Sequence, residues 1–429
     1  MKKHVQYLYL AFTIEIVFLF FLKNSLEFIV SPIIISSAGI FLSIYPYFML
    51  KNNGNSFIIE PTKNNIKYYL NLKPVFIVFI ALCIVTIIIA NIVIERHPIN
   101  INQSDIIPFI DEVFVNRFLK GEYVYSIYSG FNYGTFTPGY LPFHWGPFVL
   151  SKLINLNFQW VSVIAFLIAC FFYLIYLIKN IINKTWLLIH LSLPFLLLYI
   201  IYYTSGGSAV QSIEVMVMAY YLLLSITLFS DNVIVKSIGL LLPMLSRYSF
   251  LFWVPIYFYN LFKTNFKIFI WVSLILLSLV FILFVIPFVI PNPQILLNMN
   301  SNYITSTVEE WNGQSWQAPT DRPFQLFQGI GFASWFYTFA NGTLVQKIEL
   351  TKTFMLVISA SSMFIILGLY HKVRMVINEK LFSLLALKVM LTLFYAFIII
   401  PYDYLNWVPL MVSIVILSRI NYQNLTNKQ

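Results

Sequence analysis

Long apolar runs recur along this chain, and they limit the folds that it can adopt. Residues 74–94, "PVFIVFIALCIVTIIIANIVI", contain no charged side chain, and about 20 such residues in a helix cross the hydrocarbon layer of a bilayer. The whole chain is 60% hydrophobic and only 10% charged. Because backbone polar groups in lipid must be paired within the segment that carries them, runs of this length form helices. The sequence therefore predicts an all-α polytopic membrane protein.

Comparable runs predict about 10–12 transmembrane helices in a single domain over residues 1–429, because no polar segment is long enough to form a separate soluble domain. The first run follows a short basic start and lacks a small-residue cleavage site, so we expect it to remain as a helix. The segments expected to cross the membrane are 5–22, 28–50, 73–94, 158–178, 186–203, 209–229, 268–290, 353–371, 381–400 and 403–418.

The charges between these runs predict an orientation. Lys and Arg concentrate in the cytoplasmic segments of membrane proteins, so we expect both termini in the cytoplasm, with the protein in a bacterial inner (plasma) membrane. The basic residues expected on that side are Lys2, Lys3, Lys51, Lys63, Lys67, Lys73, Lys179, Lys184, Lys263, Lys267, Lys372, Arg374, Lys380, Arg419 and Lys428. The acidic residues expected on the extracytoplasmic side are Asp105, Asp111, Glu112, Glu122, Glu309, Glu310, Asp321 and Asp403. The net charge of +10 thus indicates topology and attraction to anionic lipid headgroups, and not nucleic-acid binding.

Two segments between the runs are long, 95–157 and 291–350, and both are expected outside. They are rich in Trp, Tyr, Pro and Asn rather than in Ser and Gly. Flexible linkers have the opposite composition, and aromatic side chains favour the membrane–water boundary. We therefore expect ordered loops that lie close to the membrane surface.

The segment 233–262 does not fit a single crossing. Lys236 and Lys263 lie at its two ends and both are expected in the cytoplasm, while Pro243 and Pro255 interrupt it. Two short helices forming a hairpin would satisfy both observations, with "LSRYS" at the turn and Arg247 at its apex. A charge at membrane depth is tolerated where it is buried in protein or lines a wet cavity. The alternative is one long kinked helix with Arg247 reaching the interface.

The first long loop contains a short helix pattern, "PFIDEVFVNRFLKG", which ends at Gly121, a residue type that favours helix C-termini. Phe109, Val113, Phe114, Arg117 and Phe118 share one face at helical spacing, so we expect an amphipathic helix lying on the membrane surface.

The order of these features resembles the GT-C superfamily of integral-membrane glycosyltransferases, in particular bacterial mannosyltransferase-like members that use lipid-phosphate sugars. The matching stretches are "SDIIPFIDEVFVNRFLKGEYVYS", "TPGYLPFHWGPFVLSKL", the hairpin "GLLLPMLSRYSFLFWVP" and, more weakly, "PYDYLNWVPLMV". The resemblance covers roughly residues 73–418. Two helices before residue 73 are extra, and the gap from Asp105 to Gly121 is longer than the family pattern.

The resemblance implies a loop carboxylate that takes a proton from the acceptor hydroxyl. Asp105 matches that position, but the irregular spacing leaves Asp111 and Glu112 as competitors. A carboxylate near a helix amino end is also a plain helix cap. The leaving phosphate gains negative charge and favours a fixed planar cation, for which Arg247 is the candidate.

Two further residues are candidates for donor phosphate binding. His144, in "PFHWGP", could contact the phosphate, and the alternative is a structural histidine packed against Trp145. Arg322 could hold the donor phosphate or an anionic acceptor, and the alternative is a salt bridge with Asp321. Glu15 and Glu214 lie within membrane runs, where they are expected to pair with Lys388 or another polar group.

The expected reaction is transfer of a hexose, with inversion, from a polyprenyl-phosphate donor to a glycolipid or glycan acceptor outside the cytoplasm. No His/Cys cluster is present, so we expect no zinc site, and weakly held Mg or Mn on the loop acids stays open. The rival hypotheses are an O-antigen-type polymerase, a transporter or flippase for lipid-linked sugars, and a structural membrane protein. A transporter would show internal repeats and ionisable residues near the bilayer midplane.

Overall fold

The computed structural model describes residues 2–23, 28–53, 72–99, 106–129, 135–136, 138–181, 183–295, 307–313 and 322–420. It is almost entirely helical, with a two-residue strand pair, β1 (Tyr128–Ser129) against β2 (Thr135–Phe136). The helices are α1 (Lys2–Val17), α2 (Val30–Asn53), α3 (Lys73–Arg96), α4 (Pro142–Leu153), α5 (Gln159–Asn180), α6 (Lys184–Gln211), α7 (Glu214–Thr227), α8 (Val233–Met244), α9 (Val254–Thr264), α10 (Phe266–Val280), α11 (Ala333–Phe339), α12 (Leu344–Val373), α13 (Glu379–Ala396) and α14 (Trp407–Arg419).

Within the described residues, 7 helices are long and apolar enough to cross a membrane. This confirms the all-α polytopic class predicted from the sequence. The spans are His4–Leu22, Val30–Lys51, Lys73–Arg96, Gln159–Asn180, Lys184–Gln211, Phe266–Val289 and Leu344–Val373. The remaining predicted spans correspond to α7, α13 and α14, which are shorter or carry more charge and are almost completely buried. These three helices form the interior of the bundle, and the longer helices surround them.

Side-chain caps start several of the helices. The Asn183 side chain accepts hydrogen bonds from two backbone amides at the start of α6, and Asn232 does the same for α8, while Asn378 accepts from one amide at the start of α13. These contacts satisfy backbone donors that a helix start leaves without a partner. Inside α6, Ser205 departs from helical geometry at φ −143° and ψ 39°, which bends the helix near its end.

Contacts between distant residues define two ends of the bundle. At one end, the Asp403 carboxylate accepts hydrogen bonds from Lys23 Nζ at 2.9 Å and from Ser205 Oγ at 3.3 Å. At the other end, Arg419 donates to Asn180 Oδ1 at 2.7 Å. We call the first the Asp403 end and the second the Arg419 end. The residues that follow α1, the last part of α6 and the residues before α14 thus meet at the Asp403 end, and the last residues of α5 and α14 meet at the Arg419 end.

The predicted hairpin at 233–262 is present, as α8 and α9. Lys236 at its start donates to the Leu228 carbonyl, and Asn260 near its finish donates to the Glu379 carbonyl at 2.6 Å. Leu228 follows the last residue of α7 and Glu379 begins α13, both at the Arg419 end. Between the two helices, Ser249 Oγ lies 3.0 Å from Tyr395 OH. Tyr395 is about 24 Å from Glu379 along the axis of α13, so the turn between α8 and α9 lies far from both ends of the hairpin. The alternative of one long helix is therefore wrong.

The predicted loop helix extends over residues 107–119, with a wide π-helical turn at Ile110–Val115. Its apolar residues divide between two surroundings. Phe114 is buried and stacks on Trp145 at 5.7 Å between ring centroids, whereas Phe118 and Leu119 are exposed. The face expected to contact the membrane is thus mainly packed against α4.

Candidate functional site

Arg247 lies at the turn of the hairpin and faces the start of α7. The turn follows α8 because Pro243 lies in its last turn, and the Arg247 amide donates to the Pro243 carbonyl at 2.8 Å. The guanidinium forms an ion pair with Glu214, the first residue of α7. Glu214 is fully buried, while the Arg247 side chain keeps 20% of its surface exposed.

His144 lies beside this ion pair, in the first turn of α4. It is buried, and its ring stacks on Tyr140 with 4.1 Å between centroids. The backbone links α4 to the hairpin, because the Phe143 amide donates to the Leu245 carbonyl at 2.8 Å. Burial and the neighbouring Arg247 guanidinium lower the pKa of His144 well below its usual range, so the ring is neutral at neutral pH. The partner expected from the sequence, Trp145, instead packs on the loop helix.

Buried polar atoms without hydrogen bonds gather at this point of the described structure. They include both ring nitrogens of His144, Oγ of Ser246 and Nε of Arg247. We call Glu214, Arg247, His144 and Ser246 the apex cluster. Buried polar groups are normally hydrogen-bonded, so a concentration of exceptions indicates a place where a ligand or water can bind.

A chain of hydroxyl groups runs along the other side of the hairpin turn. Tyr221 OH lies 3.2 Å from Ser249 Oγ, which lies 3.0 Å from Tyr395 OH. All three residues are buried. They join α7, the hairpin turn and α13, and so they fix the position of the turn that carries Arg247.

A second polar site lies in a surface groove of about 460 Å³ at the other end of α4. Lys152 Nζ donates to both carboxylate oxygens of Asp111, at 2.9 and 3.0 Å. Apolar side chains from the loop helix and from the residues before α5 form its walls, together with Asn155 and Asn157. Both charged side chains are partly exposed.

The structure does not bring Asp111 to the apex cluster. His144 and Lys152 are eight residues apart on α4, which separates their backbones by about 12 Å along the helix. Arg247 contacts the His144 end and Asp111 contacts the Lys152 end. The two predicted site residues therefore belong to different surfaces.

The other predicted site residues are dispersed. Asp105 and Asp321 lie outside the described residues. Glu112 is exposed, and its charge acts on Tyr128. Arg322 lies over the rings of Phe28 and Phe327, at 5.9 and 5.2 Å from their centroids.

Sequence reasoning gave Glu214 no role, although the structure pairs it with Arg247. The available signal was a lone acid within an apolar run, which is costly in a membrane unless it has a partner or a function. The expected pair between Glu15 and Lys388 is confirmed, at 2.6 Å. Among the described residues, no group of three His, Cys, Asp or Glu side chains is arranged to hold a metal ion.

No family model, curated protein or solved structure matches this chain.

Proposed function

We propose that this protein is a membrane glycosyltransferase that moves a hexose from a polyprenyl-phosphate donor to a glycolipid or glycan acceptor. The reaction would take place at the Asp403 end of the bundle, which the charge pattern assigns to the extracytoplasmic side. The observation that supports this proposal is the apex cluster. There a hairpin turn holds a partly exposed Arg247 beside buried polar groups that lack hydrogen bonds.

Arg247 suits the phosphate of such a donor. Its planar guanidinium offers five N–H donors in a geometry that matches phosphate oxygens. Cleavage of the bond between sugar and phosphate places an additional negative charge on the phosphate. A fixed cation stabilises that charge more in the transition state than in the bound donor, and this difference accelerates the reaction.

The acceptor hydroxyl attacks the anomeric carbon from the face opposite the leaving phosphate, and a base within hydrogen-bond reach of that hydroxyl takes its proton. Asp111 fits poorly, since Lys152 already neutralises it and the length of α4 separates it from Arg247. Glu112 is exposed, and no contact joins it to the apex cluster in the described structure. We therefore propose Asp105, which precedes the loop helix, as the base.

The test is sugar transfer by the purified protein in lipid nanodiscs. Radiolabelled polyprenyl-phosphate hexoses serve as donors, and lipid and glycan extracts of the source membrane serve as acceptors. Asp105→Asn should lower the transfer rate by about 10²- to 10⁴-fold, because the amide keeps the shape but accepts no proton. Asp111→Asn and Glu112→Gln are the matched controls and should stay near the wild-type rate.

Two results would contradict this proposal. If Asp111→Asn is inactive and Asp105→Asn is active, the base is in the groove and not before the loop helix. If the wild-type protein transfers no hexose from any donor, or all three variants remain active, the glycosyltransferase assignment is wrong.

A transporter for lipid-linked sugars is the second candidate, because of the ion pair between Glu15 and Lys388. Ionisable pairs inside a membrane bundle also occur in proton relays of transporters. Flux of a fluorescent lipid-linked sugar across proteoliposomes, lost when Glu15 and Lys388 are replaced together by Gln and Met, would favour the transporter. Sugar transfer retained by that double variant would favour the enzyme.

A further inference from the structure

The ion pair at the hairpin turn affects how charge is balanced when a donor phosphate binds there, and this reasoning rests on the proposed function. A donor phosphate that binds Arg247 finds this cation already paired with the carboxylate of Glu214. One guanidinium cannot fully neutralise two anions in a buried site. The two anions must therefore compete for it.

We infer that Glu214 is an internal competitor of the donor phosphate, which binds by displacing the Glu214 carboxylate from Arg247. In the ligand-free protein this carboxylate occupies the phosphate site, and in the complex the phosphate takes its place. Glu214 thereby sets the affinity for phosphate-bearing lipids without contacting the reacting atoms.

The surroundings of the pair support an exchange rather than a permanent bond. Arg247 remains partly exposed, so an anion can approach it from outside, whereas Glu214 is fully buried on the inner side. Ser246 and His144 have buried polar atoms without hydrogen bonds beside the guanidinium. A phosphate has more acceptor oxygens than a carboxylate, and so it can accept from these donors as well as from Arg247.

Burial also explains why the exchange limits affinity. When the phosphate takes Arg247, the displaced carboxylate loses its cation while still inside the protein. An uncompensated buried charge is unfavourable, and this cost lowers the affinity for the phosphate. Replacing Glu214 with a neutral residue removes the cost.

The test measures, by thermophoresis, the binding of a long-chain polyprenyl monophosphate to the full-length protein in detergent. The polyprenol without phosphate and inorganic phosphate are the two comparison ligands, and they separate the contribution of the lipid from that of the phosphate. Glu214→Gln should bind the polyprenyl phosphate about tenfold more tightly than the wild type, a difference of about 1.4 kcal/mol. Arg247→Ala should abolish binding.

If Glu214→Gln folds poorly, Glu214→Asp provides the same comparison. Its carboxylate is one methylene shorter, so it pairs less closely with Arg247 and should give a smaller gain in affinity. Recovery after gel filtration verifies the fold of each variant.

The outcomes separate this inference from the proposed function. Equal or weaker binding by both Glu214 variants, with binding lost in Arg247→Ala, would overturn the exchange and leave the donor site in place. No binding by the wild type or either Glu214 variant would overturn both proposals. Equal binding of inorganic phosphate and the lipid would show an anion site that does not select polyprenyl donors, which would also contradict the exchange as stated.

Discussion

Two ion pairs lie inside this bundle, and they differ in what surrounds them. Lys388 on α13 pairs with Glu15 on α1 at 2.6 Å and also donates to the Pro409 carbonyl, at the start of α14. Both side chains are almost completely buried. Arg247 and Glu214 also pair, but the Arg247 side chain keeps 20% of its surface exposed. Buried polar atoms without hydrogen bonds occur at both pairs, Oε2 of Glu15 among them, so it is the exposure that differs.

The comparison separates a structural role for one pair from the ligand-binding role that we propose for the other. The Lys388 pair joins three helices and is closed to any ligand, so its main effect is on how those helices fit together. The Arg247 pair holds a cation at the boundary of the protein, where a ligand can reach it. Buried ion pairs contribute little net stability, but removing one partner leaves a charge that is costly.

The largest effect on stability should follow removal of one charge from the closed pair. Lys388→Met leaves the Glu15 carboxylate buried without a cation, which should lower the free energy of unfolding by about 3–5 kcal/mol. The measurement is the fraction of protein that stays monodisperse after heating in detergent. Adding Glu15→Gln should restore most of the loss, and a double variant as unstable as the single variant would contradict this account.

Neutral replacement of both residues in the pair of Arg247 and Glu214 should affect activity and not stability. Glu214→Gln combined with Arg247→Met removes both charges and leaves neither unpaired, so the fold should survive. Loss of the fixed cation should lower the rate of hexose transfer by about 10²- to 10³-fold, as for other groups that stabilise a developing anion. Arg247→Lys serves as control, since it keeps the charge but not the planar fork, and it should be intermediate. A fully active double variant would place Arg247 outside the mechanism.

A smaller effect is expected where α2 approaches the closed pair. A methyl group on Gly39 would lie 2.9 Å from the Thr392 side chain and 3.1 Å from Glu15 Oε1. Gly39→Ala should therefore lower stability by about 1–3 kcal/mol, which is typical of overpacking. Gly368→Ala on α12 is the matched control, because a methyl group there meets nothing within 4 Å. Equal stability of the two variants would show that the helices can move apart at the pair.

The smallest effect should come from the exposed pair in the groove. Lys152→Met removes the partner of Asp111, but both side chains are partly in solvent, so the change in stability should be about 0–1 kcal/mol. Hexose transfer should stay near the wild-type rate, because the groove is remote from Arg247. A large loss of transfer in this variant would move the site from the apex cluster to the groove.

Several elements could be predicted from the sequence because they follow from local patterns. The apolar runs give the membrane-spanning helices, since lipid permits few other structures. The hairpin follows from Lys236 and Lys263, two basic residues that must lie on one side of the membrane, with prolines between them. Asp111 and Glu112 are also correctly placed on the loop helix. Each of these predictions needs only neighbouring residues.

Other features were decided by the tertiary structure. An amphipathic pattern shows that Phe114 is on an apolar face, but not whether protein or lipid covers that face. The sequence marks Glu214 and Arg247 as charges within apolar runs, and only the packing of α7 against the hairpin brings them together. The packing of the helices likewise places Asp111 and Arg247 at opposite ends of α4. Apolar periodicity determines which segments enter the membrane because the bilayer acts on each segment separately, whereas the partner of each buried charge depends on how all the helices pack.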